Sequence, residues 1–302
     1  MKKFTLSKGT FKSPILEIEE TVARKAEAAK AIIIDMLTAE EKYDSVIENF
    51  VEFERELLDI TLEYKMYGGR TKDWFNTARN RVDRRFFNLL STCRAYIEFA
   101  DHCSNRVASA NELFKMERSK HYDESFAYML MDGLRNEVTY AGHAAHVVTF
   151  SARREDFGGD DFVIDYLTPE LDISTKRLAK NDKLSKRLLA AVAAKGEKLS
   201  FLRELREYIR RLSQLHEFLR SLCKECVTQA RSDLEKPLAL FLAAFPDTGQ
   251  LQGLVVREYV GENKVNEFWA VPFASRLDYF QKKNGMLTDL ERSRITNAIP
   301  RH

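Results

Sequence analysis

The residues best equipped for chemistry lie in one short stretch, Leu134-Arg135-Asn136-Glu137-Val138-Thr139-Tyr140-Ala141-Gly142-His143-Ala144-Ala145-His146. Here an Arg-Asn pair, a Tyr and two His fall close together. A guanidinium beside a phosphate neutralises the charge that develops on a phosphorane-like transition state. An imidazole titrates near neutrality and moves protons to and from a ribose hydroxyl and its leaving oxygen. Arg135 with His143 or His146 is therefore a candidate catalytic set for cutting RNA without a metal or other cofactor. Asn136 and Tyr140 are candidates for binding the ribose or holding the neighbouring His. A phenol with a pKa of about 10 is a poor base at neutral pH, so Tyr140 is assigned to binding.

A helix over residues 125–141 must position these groups. Phe126, Met129, Leu130, Gly133, Leu134 and Val138 recur at helical spacing and make its apolar side. Arg135, Thr139, Gly142 and His146 lie on a second side, and Asn136, Tyr140 and His143 on a third. Gly142 suits the left-handed residue that closes a helix, after which His143 and His146 turn back toward Arg135.

The Arg-Asn pair followed by a His resembles the Arg-polar-x(n)-His signature of the HEPN superfamily, the higher eukaryote and prokaryote nucleotide-binding domains. The preceding segment, Arg85-Phe86-Phe87-Asn88-Leu89-Leu90-Ser91-Thr92-Cys93-Arg94-Ala95-Tyr96, is similar to helices that precede the motif in some bacterial HEPN-like proteins. The resemblance covers residues 40–150, and His143 comes one step later than the family's usual spacing. It implies an α-helical domain that forms a homodimer with two motifs facing each other. It also implies metal-independent endoribonuclease or RNA-binding activity in a toxin–antitoxin or phage-defence system, with RNA and an antitoxin or other protein as partners. The alternative is a non-catalytic helical protein–protein interaction module.

Composition sets the frame for that motif. Of 302 residues, 48 are Lys or Arg and 46 Asp or Glu, so net charge carries no global signal for nucleic acid. With 12 Gly and 6 Pro the chain favours helix throughout. The Met1-Lys2-Lys3 start leads into no apolar run, no stretch approaches the length of a membrane span, and the four Cys fit a reducing compartment. A cytoplasmic protein with no membrane partner is expected.

The fold class expected is mainly α, with a helical bundle, HEPN-like, over 1–150 and a mostly helical region with a small β-hairpin near 254–271 over 151–302. Residues 1–14 read as an irregular or extended start and 15–37 as a helix, and Thr38-Ala39-Glu40-Glu41 reads as a capping box opening the next. Gly68-Gly69 breaks that second helix, and 71–105 forms another long one. Its outer side carries Arg79, Arg81, Arg84, Arg85 and Arg94, of which Arg81, Arg84 and Arg85 are candidate phosphate-binding residues. Residues 162–167 read as a short strand, and 174–195 and 197–235 as helices, with Pro237 beginning a new piece. Leu254 to Tyr259 and Val265 to Val271 alternate as strands about Gly261-Glu262-Asn263-Lys264. Cys223 and Cys226 sit three apart inside a helical run rather than in a knuckle. They read as core, and no metal is expected. P-loop, GxGxxG, GxSxG and HExxH patterns do not occur.

Overall fold

A computed structural model describes residues 2–8, 13–67, 71–141, 148–156, 163–174, 178, 184–195, 198–246, 253–269, 274–288 and 290. The chain is mainly helical, as its composition requires. Its helices are α1 (Glu20–Tyr67), α2 (Lys72–Ala108), α3 (Asn111–Glu124), α4 (Phe126–Ala141), α5 (Lys186–Ala193), α6 (Phe201–Ala244) and α7 (Ala274–Lys283). Its strands are β1 (Lys2–Lys8), β2 (Leu16–Ile18), β3 (Val148–Asp156), β4 (Val163–Ser174), β5 (Lys198–Ser200), β6 (Leu254–Val260) and β7 (Asn263–Trp269).

The chain divides into two compact units, each gathered from separated segments. The first comprises Met1–Asp44, Glu98–Phe114 and Phe218–Gly285, and the second Ser45–Ile97, Lys115–Glu217 and Met286–His302. Phe150, where the sequence reading ends its first domain, lies inside β3.

In the first unit an antiparallel sheet in the order β2-β1-β6-β7 covers helical segments. β1 reads Lys-Lys-Phe-Thr-Leu-Ser-Lys, and its alternating Phe4 and Leu6 are buried. β1 gives a paired strand to the irregular or extended start expected for residues 1–14. The whole of β1 pairs with β6, from Lys2 opposite Val260 to Lys8 opposite Leu254. The expected hairpin is present: Val260 pairs with Asn263 across Gly261-Glu262. Gly261 has φ 63°, the left-handed value that a two-residue hairpin turn demands and that glycine adopts without strain. Arg24 of α1 ties the sheet down through a bond to Glu258 of 2.7 Å.

The same unit buries an ion pair. Glu40 is fully shielded from solvent and takes both guanidinium bonds of Arg220, at 2.8 and 2.7 Å. Glu40 belongs to the stretch read as a capping box, but α1 does not restart there. The Thr38 hydroxyl bonds back to the Ile34 carbonyl, as a helix-interior Thr does, and the helix runs on. α6 likewise continues through Pro237 to Ala244.

In the second unit Phe53, Phe86 and Phe201 form an aromatic core, with ring centroids 4.7 to 6.4 Å apart. Beside it α1 and α2 are laced by charge. Arg81 bonds Glu56 at 2.6 Å and Glu63 at 2.7 Å, and Arg85 bonds Glu52 at 2.5 Å and Glu56 at 3.3 Å. The partners fall in number as the Arg rises, so these helix segments run antiparallel. Tyr96 of α2 bonds the buried Nδ1 of His216 on α6 at 3.0 Å. β3, β4 and β5 form a separate antiparallel sheet, with Val148 opposite Leu171 and Asp172 opposite Ser200. β4 reaches Ser174, so the strand is longer than the six residues expected; of the helix expected over 174–195, Leu178 and α5 lie among the described helical residues. Ser185 caps α5 by accepting from the Leu188 amide at 3.2 Å.

Two substitutions check this packing. Arg220→Ala should lower stability by about 3–5 kcal/mol, because it strands a buried carboxylate, whereas Arg220→Met with Glu40→Leu should recover most of that loss. Urea unfolding of the three proteins decides it, and equal midpoints for wild type and Arg220→Ala would show the pair to be idle. A Cβ on Gly133 would meet Leu188 Cδ2 at 2.5 Å, so α4 and α5 pack backbone-close there. Gly133→Val should cost roughly 1–3 kcal/mol in the same assay, and a gain in stability would rule out that close approach.

Candidate functional site

α4 begins at Ser125, whose hydroxyl accepts from the Tyr128 amide at 3.2 Å and caps the helix. From that start Tyr128, Asp132 and Arg135 follow at steps of four and three, and so share one face. Arg135 donates to Asp132 at 2.9 Å and keeps 18% of its side chain open to solvent.

Behind it lies a polar cluster drawn from four helices of the second unit. The His121 ring of α3 stacks on Tyr128 at 6.4 Å, and Tyr128 meets the edge of Tyr208 of α6 at 5.2 Å. Tyr208 in turn lies beside the Cys93 thiol of α2. Cys93, His121, Tyr128 and Tyr208 are all buried. Glu117, one turn before His121, lies 3.6 Å from its Nε2. Among the described residues, neither His121 Nδ1 nor the Tyr128 hydroxyl has a hydrogen-bond partner, and both atoms are shielded from water.

The electrostatics of the cluster follow from burial. Burial pushes the Cys93 thiol far up, against the opposing pulls of Arg135 and Tyr208. It also raises the Tyr128 phenol, with Asp132 adding to the effect, and lifts Tyr208 well above the phenol range. His121 moves the other way: burial lowers it, Arg211 and Lys120 add to this, and Glu117 and Glu124 oppose it. At neutral pH the thiol, the phenols and the imidazole are thus uncharged.

The sequence-predicted residues fall as follows. Arg135 joins the cluster. His143 and His146 lie outside the described residues, as do the side chains of Asn136 and Tyr140. Arg81 and Arg85 face the carboxylates of α1, while Arg84 is exposed. The cluster's other members, Cys93, His121, Tyr128, Asp132 and Tyr208, are missing from the sequence reading. Tyr128 and Asp132 were legible as one helical stripe leading to Arg135. His121, Cys93 and Tyr208 come from other helices, and no local pattern links them. Among the described residues no group of His, Cys, Asp and Glu is arranged to hold a metal ion, and no helix is long and apolar enough to cross a membrane.

The lowered His121 value makes a pH prediction. The ordinary imidazole value is 6.5, and the folded protein holds His121 below it. As pH falls, the unfolded chain takes up this proton first, so the stability present above about pH 6.5 is lost as pH drops through the folded value. In urea titrations at pH values between about 7.5 and 5, the wild-type midpoint should fall more steeply than that of His121→Gln. Parallel slopes would remove His121 from the account.

No family model, no curated protein and no solved structure matches this chain.

Proposed function

We propose that the protein acts on RNA as a HEPN-like, metal-independent endoribonuclease, with Arg135 meeting the phosphodiester. One observation carries this reading: two buried polar atoms without a hydrogen bond lie on neighbouring rings of the cluster that Arg135 joins. A buried polar atom left without a hydrogen bond costs about 1–3 kcal/mol. Here two such atoms, His121 Nδ1 and the Tyr128 hydroxyl, occur on neighbouring rings of one cluster. Perturbed titrating groups concentrate where a protein does chemistry, and Cys93, His121, Tyr128 and Tyr208 are all displaced in one place. In this reading Arg135 stabilises charge on the phosphate, His143 or His146 transfers the proton, and Asn136 and Tyr140 position the ribose or the neighbouring imidazole. The resemblance extends the proposal to a homodimer serving prokaryotic defence or a toxin–antitoxin pair in the cytoplasm.

A second reading, a non-catalytic helical module that binds another protein, is favoured by the pairing of Arg81 and Arg85. A phosphate backbone gains by displacing counterions from free cations, and these two are bound to Glu52, Glu56 and Glu63.

Incubation of the purified protein with mixed RNA in EDTA separates the readings. The wild type should cleave, Arg135→Ala should lose activity by about 100- to 1000-fold, and His143→Ala with His146→Ala should lose a similar factor. Thermal melts of the variants must match the wild type for the comparison to count. Absence of cleavage by the wild type, or equal cleavage by Arg135→Ala, would rule out the enzyme and leave the binding module.

A further inference from the structure

We propose that the outer face of α1, in the second unit, is an interface through which two copies of this chain pair antiparallel. On a soluble helix the face opposite the core is ordinarily polar. Here it is not. Val51, Leu58, Leu62 and Met66 follow one another at steps of seven, four and four, and so form one stripe. Phe53, Leu57 and Ile60 lie on the opposite face of the helix and are buried. Val51 and Leu58 keep 41% of their surface open to solvent, Leu62 55% and Met66 73%. Single exposed apolar side chains are ordinary, but four on one helix face make a patch that the fold itself leaves uncovered.

Ion pairs rim the stripe on both sides. On one side Glu52, Glu56 and Glu63 take Arg85 and Arg81 of α2. On the other Glu54 takes both guanidinium bonds of Arg206 of α6, at 2.7 and 2.8 Å. An apolar centre inside a polar rim is the anatomy of a contact between proteins. A membrane surface does not fit, because an anionic leaflet repels a rim of carboxylates. Two further charges decide the occupant. Arg55 lies within the stripe and Asp59 at its margin, one turn apart, and both are exposed. The neighbouring Glu52, Glu54, Glu56 and Glu63 are matched inside the chain, whereas among the described residues Arg55 and Asp59 enter no ion pair.

Opposite charges one turn apart complement themselves when a helix meets its own copy antiparallel. With the two-fold axis level with the peptide between Glu56 and Leu57, Val51 of one copy comes level with Leu62 of the other, Met66 with the half-buried Ile47, and Leu58 with Arg55. Arg55 then reaches Asp59 of the other copy. Each contact occurs twice across the axis, so one stripe supplies both halves of the interface. Ile47 to Met66 is about 30 Å of helix, which puts the pair at the small, reversible end of protein interfaces. The contact needs nothing from the Arg135 cluster and stands apart from the RNA reading.

Sedimentation equilibrium of the full chain from about 1 to 100 μM is the test. The expected result is a monomer–dimer equilibrium with a dissociation constant in the micromolar range. Leu58→Glu, a change on an exposed face, should weaken pairing about tenfold or more and leave the thermal melt of the monomer unchanged. Arg55→Asp and Asp59→Arg should each weaken it about tenfold. The double variant Arg55→Asp/Asp59→Arg should return to within about threefold of wild type, because the charges are again opposite across the axis. A wild type that stays monomeric over the whole range would overturn the proposal, whether or not another protein binds the stripe. So would a dimer that Leu58→Glu leaves intact, since its contact would lie elsewhere, the Arg135 face included. A double variant as weak as the single ones would overturn the antiparallel register.

Discussion

α1 carries the negative charge on which the packing of its neighbours depends. Glu40, Glu52, Glu54, Glu56 and Glu63 all receive guanidinium bonds, from Arg220, Arg85, Arg206 and Arg81. A carboxylate removed from water must be matched or it destabilises the fold, so each buried Glu dictates an Arg on the neighbouring helix. Apolar packing alone tolerates sliding by a turn, whereas a bidentate guanidinium–carboxylate bond does not. The near-neutral net charge of a chain so rich in charged residues follows from the same matching: much of its positive charge answers negative charge within the fold.

That matching explains why the basic run on α2 is a poor guide to a ligand. Arg79, Arg81, Arg84, Arg85 and Arg94 look alike in one dimension. In the fold Arg81 and Arg85 turn toward α1 while Arg79 and Arg84 are exposed. The rotation of 100° per residue that makes an amphipathic stripe also splits a cluster of like charges between two fates. Arg135 has a different setting. Its carboxylate partner is on its own helix, and its background is a set of neutral polar rings rather than a row of acids.

Helical periodicity made most of the fold readable, and a glycine in a two-residue turn made the β6–β7 hairpin readable. Thr38 to Glu41 was misleading because a Thr two residues before a Glu pair fits a helix start and a helix interior equally well; the deciding fact is that Glu40 is claimed by Arg220, 180 residues away. β1 reads in sequence only as an irregular or extended start because Phe4 and Leu6 alternate over too few residues to stand out, and β6 supplies its long partner. The polar cluster was readable only in part. Arg135 could be picked out from its neighbours in sequence, but the groups that surround it are brought together only by packing between α2, α3, α4 and α6.

The interleaving of the two units bears on how the molecule is made. β1 includes Lys2, yet its ladder is to Val260, and the buried Glu40 waits for Arg220. During synthesis β1 can pair early with β2, but its other edge waits for β6, which follows far along the chain. Such long-range closure slows folding and leaves a sticky edge exposed in the meantime. Neither unit is one continuous stretch of chain, so a fragment that ends before Phe218 lacks a third of the segments from which the first unit is gathered.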